Sequence, residues 1–233
     1  MSDNSETATK PPADVRKTSA EEAAEAFARD TKDHEMTVLH DDGLYRHLLC
    51  KKPGTSSYWF EIVTWPGGLL VNGDMESFLF TIPEPDLFPL FRGFGPNPHY
   101  WAQKVRAGRT REYSEAVTRQ HVLDVLAEID DDDSSPEGLA TAMRGSMLDP
   151  DVTCQEECVR FALDEFTYLP PDAEPDDQPW RFHDTWEWDL SDYTHQFLWY
   201  CSAIPWAIGQ YRKAKAPAKA SATETVSVAG GAL

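Results

Sequence analysis

Residues 44–82 and the run that follows them predict an α+β fold: an antiparallel β-meander of about four strands packed with a helical C-terminal half. Three observations carry this. The β-prone runs "YWFEIVTW", "LLV" and "ESFLFTI" are separated by Pro-Gly-Gly and Asn-Gly-Asp, the turn chemistry of hairpins. From Pro98 onward, apolar residues recur at helical spacing instead. Strands come first and helices after, which separates α+β from an alternating α/β pattern.

The elements follow in order. Residues 1–20 are polar and are expected to form a disordered tail, as are the small residues of 214–233, leaving a single α+β domain at 21–213. "SAEEAAEAFARDTKDHEM" opens with Ser19 and has Glu22 three residues later, a capping box before an Ala-rich helix. "HDDG" reads as a turn into a first strand, "LYRHLLCKK". In the next strand Tyr58, Phe60 and Ile62 face one side and Trp59, Val63 and Trp65 the other. Both faces are largely apolar, so the sheet should be covered on both sides or meet a partner on one. Asn72-Gly73 is a strong two-residue hairpin signal, since both residues accept positive φ.

"PHYWAQKVRAG" predicts a helix from Pro98 to a stop at Gly108. In "TREYSEAVTRQHVLDVLAEI", Val122, Val125, Leu126 and Ile129 make a helical stripe interrupted by Thr118. "DPDVTCQEECVRFALDEF" has Asp149 to cap it and Pro150 at its first position. "LPPDAEPDDQPW" is a loop, because its Pro residues exclude regular structure. In "SDYTHQFLWYCSAIPWAIGQYRK" the stripe is Tyr193, Phe197, Cys201, Ile204, Ile208 and Tyr211, with Pro205 expected to kink or end the helix.

Composition narrows the function classes. The charge of −19, from 40 acidic against 21 basic side chains, disfavours direct nucleic-acid binding. It suits solubility, or competition for basic proteins. No apolar run is long enough to span a bilayer, and the polar N-terminus lacks the apolar core of a secretory signal, so a cytosolic setting is expected. Cys50, Cys154, Cys158 and Cys201 form no spaced framework and are expected to be reduced; on one helix Cys154 and Cys158 would share a face. No metal site and no cofactor are expected.

The densest ionisable run is "HDDGLYRH", with His40, Asp41, Asp42, Arg46 and His47. Two His flanking an Asp pair suit a base with an orienting acid, or a cation site. With Asp74 of the "NGD" turn added, His40, Asp42 and Asp74 would hold a divalent cation if the turns met. Otherwise these residues are charged turn mouths, and His47 shares a strand face with Tyr45 and Leu49. Nucleophile-elbow, Walker A and Gly-x-Gly-x-x-Gly patterns are missing. His121 reads as a boundary histidine. A partner surface would draw on Trp186, Trp188, Trp199 and Trp206, the first two of which read equally as loop anchors on the core.

"MTVLHDDGLYRHLLCKKPGTSSYWFEIVTWPGGLLVNGDMESF", "NPHYWAQKV" and "FLWYCSAIPWAIGQY" resemble a family of uncharacterised accessory proteins of tailed bacteriophages and prophages, over residues 30–212. The resemblance implies action in the cytoplasm of a bacterial host and brings no catalytic residues with it. The expected function is to bind a host protein or complex and inhibit or redirect it, with anti-CRISPR or anti-restriction activity as examples. The alternatives are a nucleotide or small-molecule protein using the His/Asp residues, and a virion-associated structural protein.

Overall fold

The computed structural model describes residues 17–92 and 95–216. The expected tails lie outside the described residues except at their inner ends, where Ser19 and Ala20 begin the first helix and residues 214–215 end the last.

Helix α1 (Ser19–Asp30) is capped one residue earlier than expected. Thr18 Oγ1 accepts from the Glu21 N–H, and Glu21 Oε2 accepts from the Thr18 N–H at 2.8 Å. Ser19 instead donates its hydroxyl to Asp192 at 2.6 Å. The sheet then runs β1 (Glu35–Asp42), β2 (Tyr45–Lys51), β3 (Phe60–Trp65), β4 (Gly68–Gly73), β5 (Phe78–Thr81) and β6 (Val105–Ala107). All six strands are antiparallel neighbours in that order. The meander therefore has two strands more than expected.

The extra first strand lies in the stretch assigned to a helix end and a turn. Thr31, not Met36, closes α1, and "EMTVLHDD" pairs with β2, leaving Gly43-Leu44 as the two-residue hairpin turn. The extra last strand occupies Val105–Ala107, because α2 (Pro98–Ala102) stops well short of Gly108.

Asn72 and Gly73 are also placed differently: they pair with Glu61 and Phe60 as the end of β4, and the connection follows at 74–77. Gly73 is needed there for close approach rather than for positive φ. A Cβ at that position would sit 2.3 Å from the Trp59 carbonyl oxygen and 2.8 Å from Phe60 Cα.

The C-terminal half contains β7 (Arg111–Tyr113), α3 (Glu115–Asp131), α4 (Leu139–Met147), α5 (Pro150–Thr153), α6 (Glu156–Glu165), β8 (Thr167–Tyr168), β9 (Trp180–Arg181), β10 (Ser191–Tyr193) and α7 (His195–Lys215). Gln155 is extended between α5 and α6, so Cys154 and Cys158 do not share a helix. Helix α7 runs unbroken through Pro205. Its neighbours Ala203, Ile204, Ala207 and Ile208 are buried, and that packing offsets the roughly 3 kcal/mol an interior proline costs.

Two buried clusters result. The first joins one face of the sheet (Leu48, Cys50, Phe60, Ile62, Leu69, Val71, Phe78, Phe80) to α1 and α7. Trp199 is its hub, edge-on to Phe27 at 5.0 Å and to Phe60 at 5.6 Å. The second joins α3, α4 and α6 through Val122, Leu126, Leu139, Met143, Met147, Val159 and Leu163. Among the described residues, no helix is long and apolar enough to cross a membrane.

Three stability outcomes follow from these placements. Trp199→Ala should cost about 3–5 kcal/mol by removing a fully buried ring. Trp186→Ala, on a side chain 74% exposed, should stay within about 0.5 kcal/mol. Gly73→Ala should cost about 1–3 kcal/mol through overpacking. Urea denaturation monitored by circular dichroism measures all three, and equal losses for the two Trp variants would contradict this core.

Candidate functional site

The "HDDGLYRH" residues pack in two separate groups, because strand residues alternate between faces. Leu39 is left without a partner between Val38 and His40, a β-bulge. The bulge shifts the alternation, so that Met36 and Asp41 point to the core side while His40 points away from it.

On the core side, Asp41 pairs across the ladder with Arg46. Asp41 accepts from Tyr211 Oη at 2.9 Å and lies 2.5 Å from Lys215 Nζ, both on α7. These hydrogen bonds, from Lys215 first and Tyr211 second, hold Asp41 below the usual carboxylate range. Arg46 donates to Asp86 at 2.9 Å and stacks its guanidinium over Phe88 at 4.3 Å and Tyr211 at 5.8 Å. Burial pushes the Asp86 carboxyl up, but Arg46 and the Phe88 N–H outweigh it and the net shift is downward. A carboxylate this well satisfied is a weak base. The group ties the end of α7 to the sheet and does not present a reactive atom.

On the opposite, outer side, His40 is exposed and aligned with His47. His47 Nε2 lies 2.6 Å from Glu61 Oε2, Asn72 Nδ2 donates to Glu61 Oε1 at 3.0 Å, and Ser77 Oγ donates to Asn72 Oδ1 at 2.7 Å. Asn72 first, then His47, keeps the Glu61 carboxyl below its ordinary value despite partial burial. A His–carboxylate pair can orient a general base, but among the described residues no hydroxyl or thiol is hydrogen-bonded to the other ring nitrogen of His47.

Asp74 does not join either group. It follows the Gly73 end of β4, three strands and therefore about 14 Å from β1 in the pairing direction alone. Its Oδ2 accepts from the Tyr58 N–H at 2.8 Å, so it fastens the 58–59 backbone. The His40, Asp42 and Asp74 cation site is therefore not assembled; Asp42 is exposed at the hairpin end, opposite Tyr45. Among the described residues, no group of three or more His, Cys, Asp or Glu is placed to hold a metal ion.

The four tryptophans also divide. Trp199 is buried, and Trp206 is partly buried against the first cluster. Trp188 stacks on His121 at 5.2 Å and belongs to the second cluster. Only Trp186 is exposed. Cys50 and Cys201 are buried, with burial pushing the Cys50 thiol up to about 12, while Cys154 and Cys158 are exposed; all four are free.

As site residues, Lys215, Asp86 and Glu61 went unnamed in the sequence, while Tyr211 and Asn72 read there only as a stripe residue and a turn residue. The spacing of Tyr211 and Lys215, one helical turn apart, was a usable signal; Asp86 and Asn72 carried none. An open groove of about 910 Å³ lies between the N-terminal end of α1, the start of α2, α3 and β10, lined by Ser19, His99, Gln120, Asp192 and Tyr193 among others.

The outer sheet side also carries Leu49, Val63, Trp65, Leu70 and Leu79, all partly exposed and in neither buried cluster. Trp65 lies across the strands, close enough that a Cβ on Gly68 would be 2.1 Å from its Cε2. The sequence predicts cover on both sides of the sheet or a partner on one; the described residues form no buried cluster on this side. No family model, curated protein or solved structure matches the chain.

Because the Glu61 carboxyl is held below its reference value of 4.5, it contributes stability above that pH and loses it as pH falls through its folded-state value. Glu61→Gln should therefore show a shallower loss of stability than the parent chain below about pH 4.5. Urea denaturation at pH steps from about 7 to about 3 reads this; parallel curves would remove Glu61 from the linkage.

Proposed function

We propose that this chain is a bacteriophage-encoded accessory protein that acts by binding: it associates with a protein or complex of the bacterial host, in the cytoplasm, and inhibits or redirects it. The phage setting comes from the sequence resemblance. Components of restriction or CRISPR defence are the target class that such a setting suggests.

One observation carries the binding reading: the uncovered apolar side of the sheet, with Leu49, Val63, Trp65, Leu70 and Leu79 outside both cores. Six strands and about five residues along each give a face of about 24 by 17 Å, about 400 Å² in projection. A standard interface buries about 800 Å² per partner. This face thus has the size of an interface centre, and the polar His47–Glu61–Asn72 chain supplies part of a rim. The enzyme alternative has lost the assembled His/Asp site it required.

The test is affinity purification of the tagged full chain from bacteria, side by side with a Val63→Glu/Leu70→Glu variant whose melting temperature has been checked. The expected result is a stoichiometric bacterial protein recovered with the parent chain and depleted at least about tenfold with the variant. Recovery of the same proteins by both chains, or of none by the parent, would overturn the reading.

A further inference from the structure

Among the described residues, the two most exposed large apolar side chains are Trp186, at 74%, and Phe161, at 69%. They sit on neighbouring elements: Phe161 on α6, Trp186 on a 3-10 turn at Thr185–Glu187. Arg160 locks the two together. Its Nη1 donates to the Thr185 carbonyl at 2.7 Å and its Nη2 to the Trp188 carbonyl at 2.9 Å, while Glu156 accepts from its Nε and Nη2. Those two carbonyls bracket Trp186. Trp188 is anchored inward on His121 and Phe182, and Asp184 takes a left-handed φ of 54° to make the turn. Trp186 is thus presented outward from a backbone tied on both sides. The ordering cost that normally weakens an exposed aromatic contact is already met within the fold.

Apart from Arg160, the charged residues of α6 and of the 3-10 turn with its preceding Asp184 are carboxylates. On α6, Glu157, Asp164 and Glu165 lie four before, three after and four after Phe161, on its side of the helix, and all are exposed. Asp184 and Glu187 flank Trp186 and are exposed as well. The only cation of α6, Arg160, is engaged internally. The last turn of α6 carries Asp164 and Glu165 and no basic residue, so two carboxylates add to the negative end of the helix dipole. An incoming cation relieves that repulsion.

We propose that the Phe161–Trp186 surface docks a cationic polypeptide segment of a partner, one that alternates Lys or Arg with apolar residues. The apolar residues cover Phe161, a guanidinium or ammonium lies on the Trp186 ring, and the five carboxylates supply the counter-charge. Phosphate-bearing partners are repelled by the same carboxylates. The proposal rests on the reading of the chain as a binding protein, but it uses a surface separate from the open sheet face.

The test titrates the full chain into a fluorescein-labelled peptide of about 12 residues built from Lys, Arg and Leu, with a Glu-for-Lys/Arg peptide as control. Binding of the basic peptide only is expected. Trp186→Ala and Phe161→Ala should each weaken it at least about tenfold, and Glu157→Gln/Asp164→Asn/Glu165→Gln should weaken it and flatten its salt dependence. Val63→Glu/Leu70→Glu should leave it unchanged. Affinity for the basic peptide within about twofold of the parent in Trp186→Ala would mean diffuse attraction to an acidic chain and would overturn the proposal, as would no binding at all. Host-protein capture that depends on Val63 and Leu70 while the peptide fails to bind would sink this surface and spare the functional reading; peptide binding without capture would do the reverse.

Discussion

Helix α7 packs on one side of a six-stranded sheet, and the position of every other element follows from that contact. Trp199 and Tyr200 are buried on it, 5.3 Å apart and edge to face, and Phe60 meets both rings. Each large aromatic removes roughly 150–250 Å² from water, so this layer outweighs any single ion pair in the molecule. Because α7 claims the core side, α1 can reach the core only by lying beside it, where Phe27 meets Trp199 and Trp206. The second helical cluster is tethered to this layer at the strand pair β7–β10, just before α7 begins. The Thr194 hydroxyl caps α7 by accepting from the Phe197 N–H, and it donates to the Arg109 carbonyl, so one buried side chain fixes both the start of the helix and the join.

The same layer explains why one side of the sheet stays open. Helix α7, with α1 beside it, lies across one side of the strands, and α3, α4 and α6 bury their apolar stripes against each other. What remains partly exposed is a side with apolar residues and a hydrogen-bonded polar chain at its margin. The ionisable residues that look clustered in sequence end up holding structure: Asp41 and Arg46 tie down the end of α7, and Asp74 holds a turn.

Alternation and turn chemistry made the central strands legible, including the hairpin around Pro66-Gly67 and the inward set Phe60 and Ile62. They failed where a local rule had a competitor. "EMTVLHDD" carries too many charges to read as a strand, yet as an edge strand it needs only one neighbour. Asn72-Gly73 has turn composition, but Gly73 is there because the Trp59–Phe60 backbone passes too close for a side chain. Pro205 is a helix breaker only where no packing opposes it. The candidate site was legible as a set of residues and not as a place. A single unpaired residue, Leu39, decides which of His40 and Asp41 faces the core, and no pattern in "TVLHDD" announces it. Trp199 and Trp186 are the same residue type, and only burial separates them.

That bulge matters beyond orienting Asp41. β1 is one of the two edge strands, and its far side shows hydrogen-bonding groups that a strand from another molecule could match. A regular edge beside an open apolar face would invite stacking into ribbons. The kink at Leu39, followed by His40, Asp41 and Asp42, interrupts the repeat any added strand would have to follow, and places like charges where a second copy of β1 would lie. The bulge therefore guards one of the two edges of a sheet whose broad face is partly exposed.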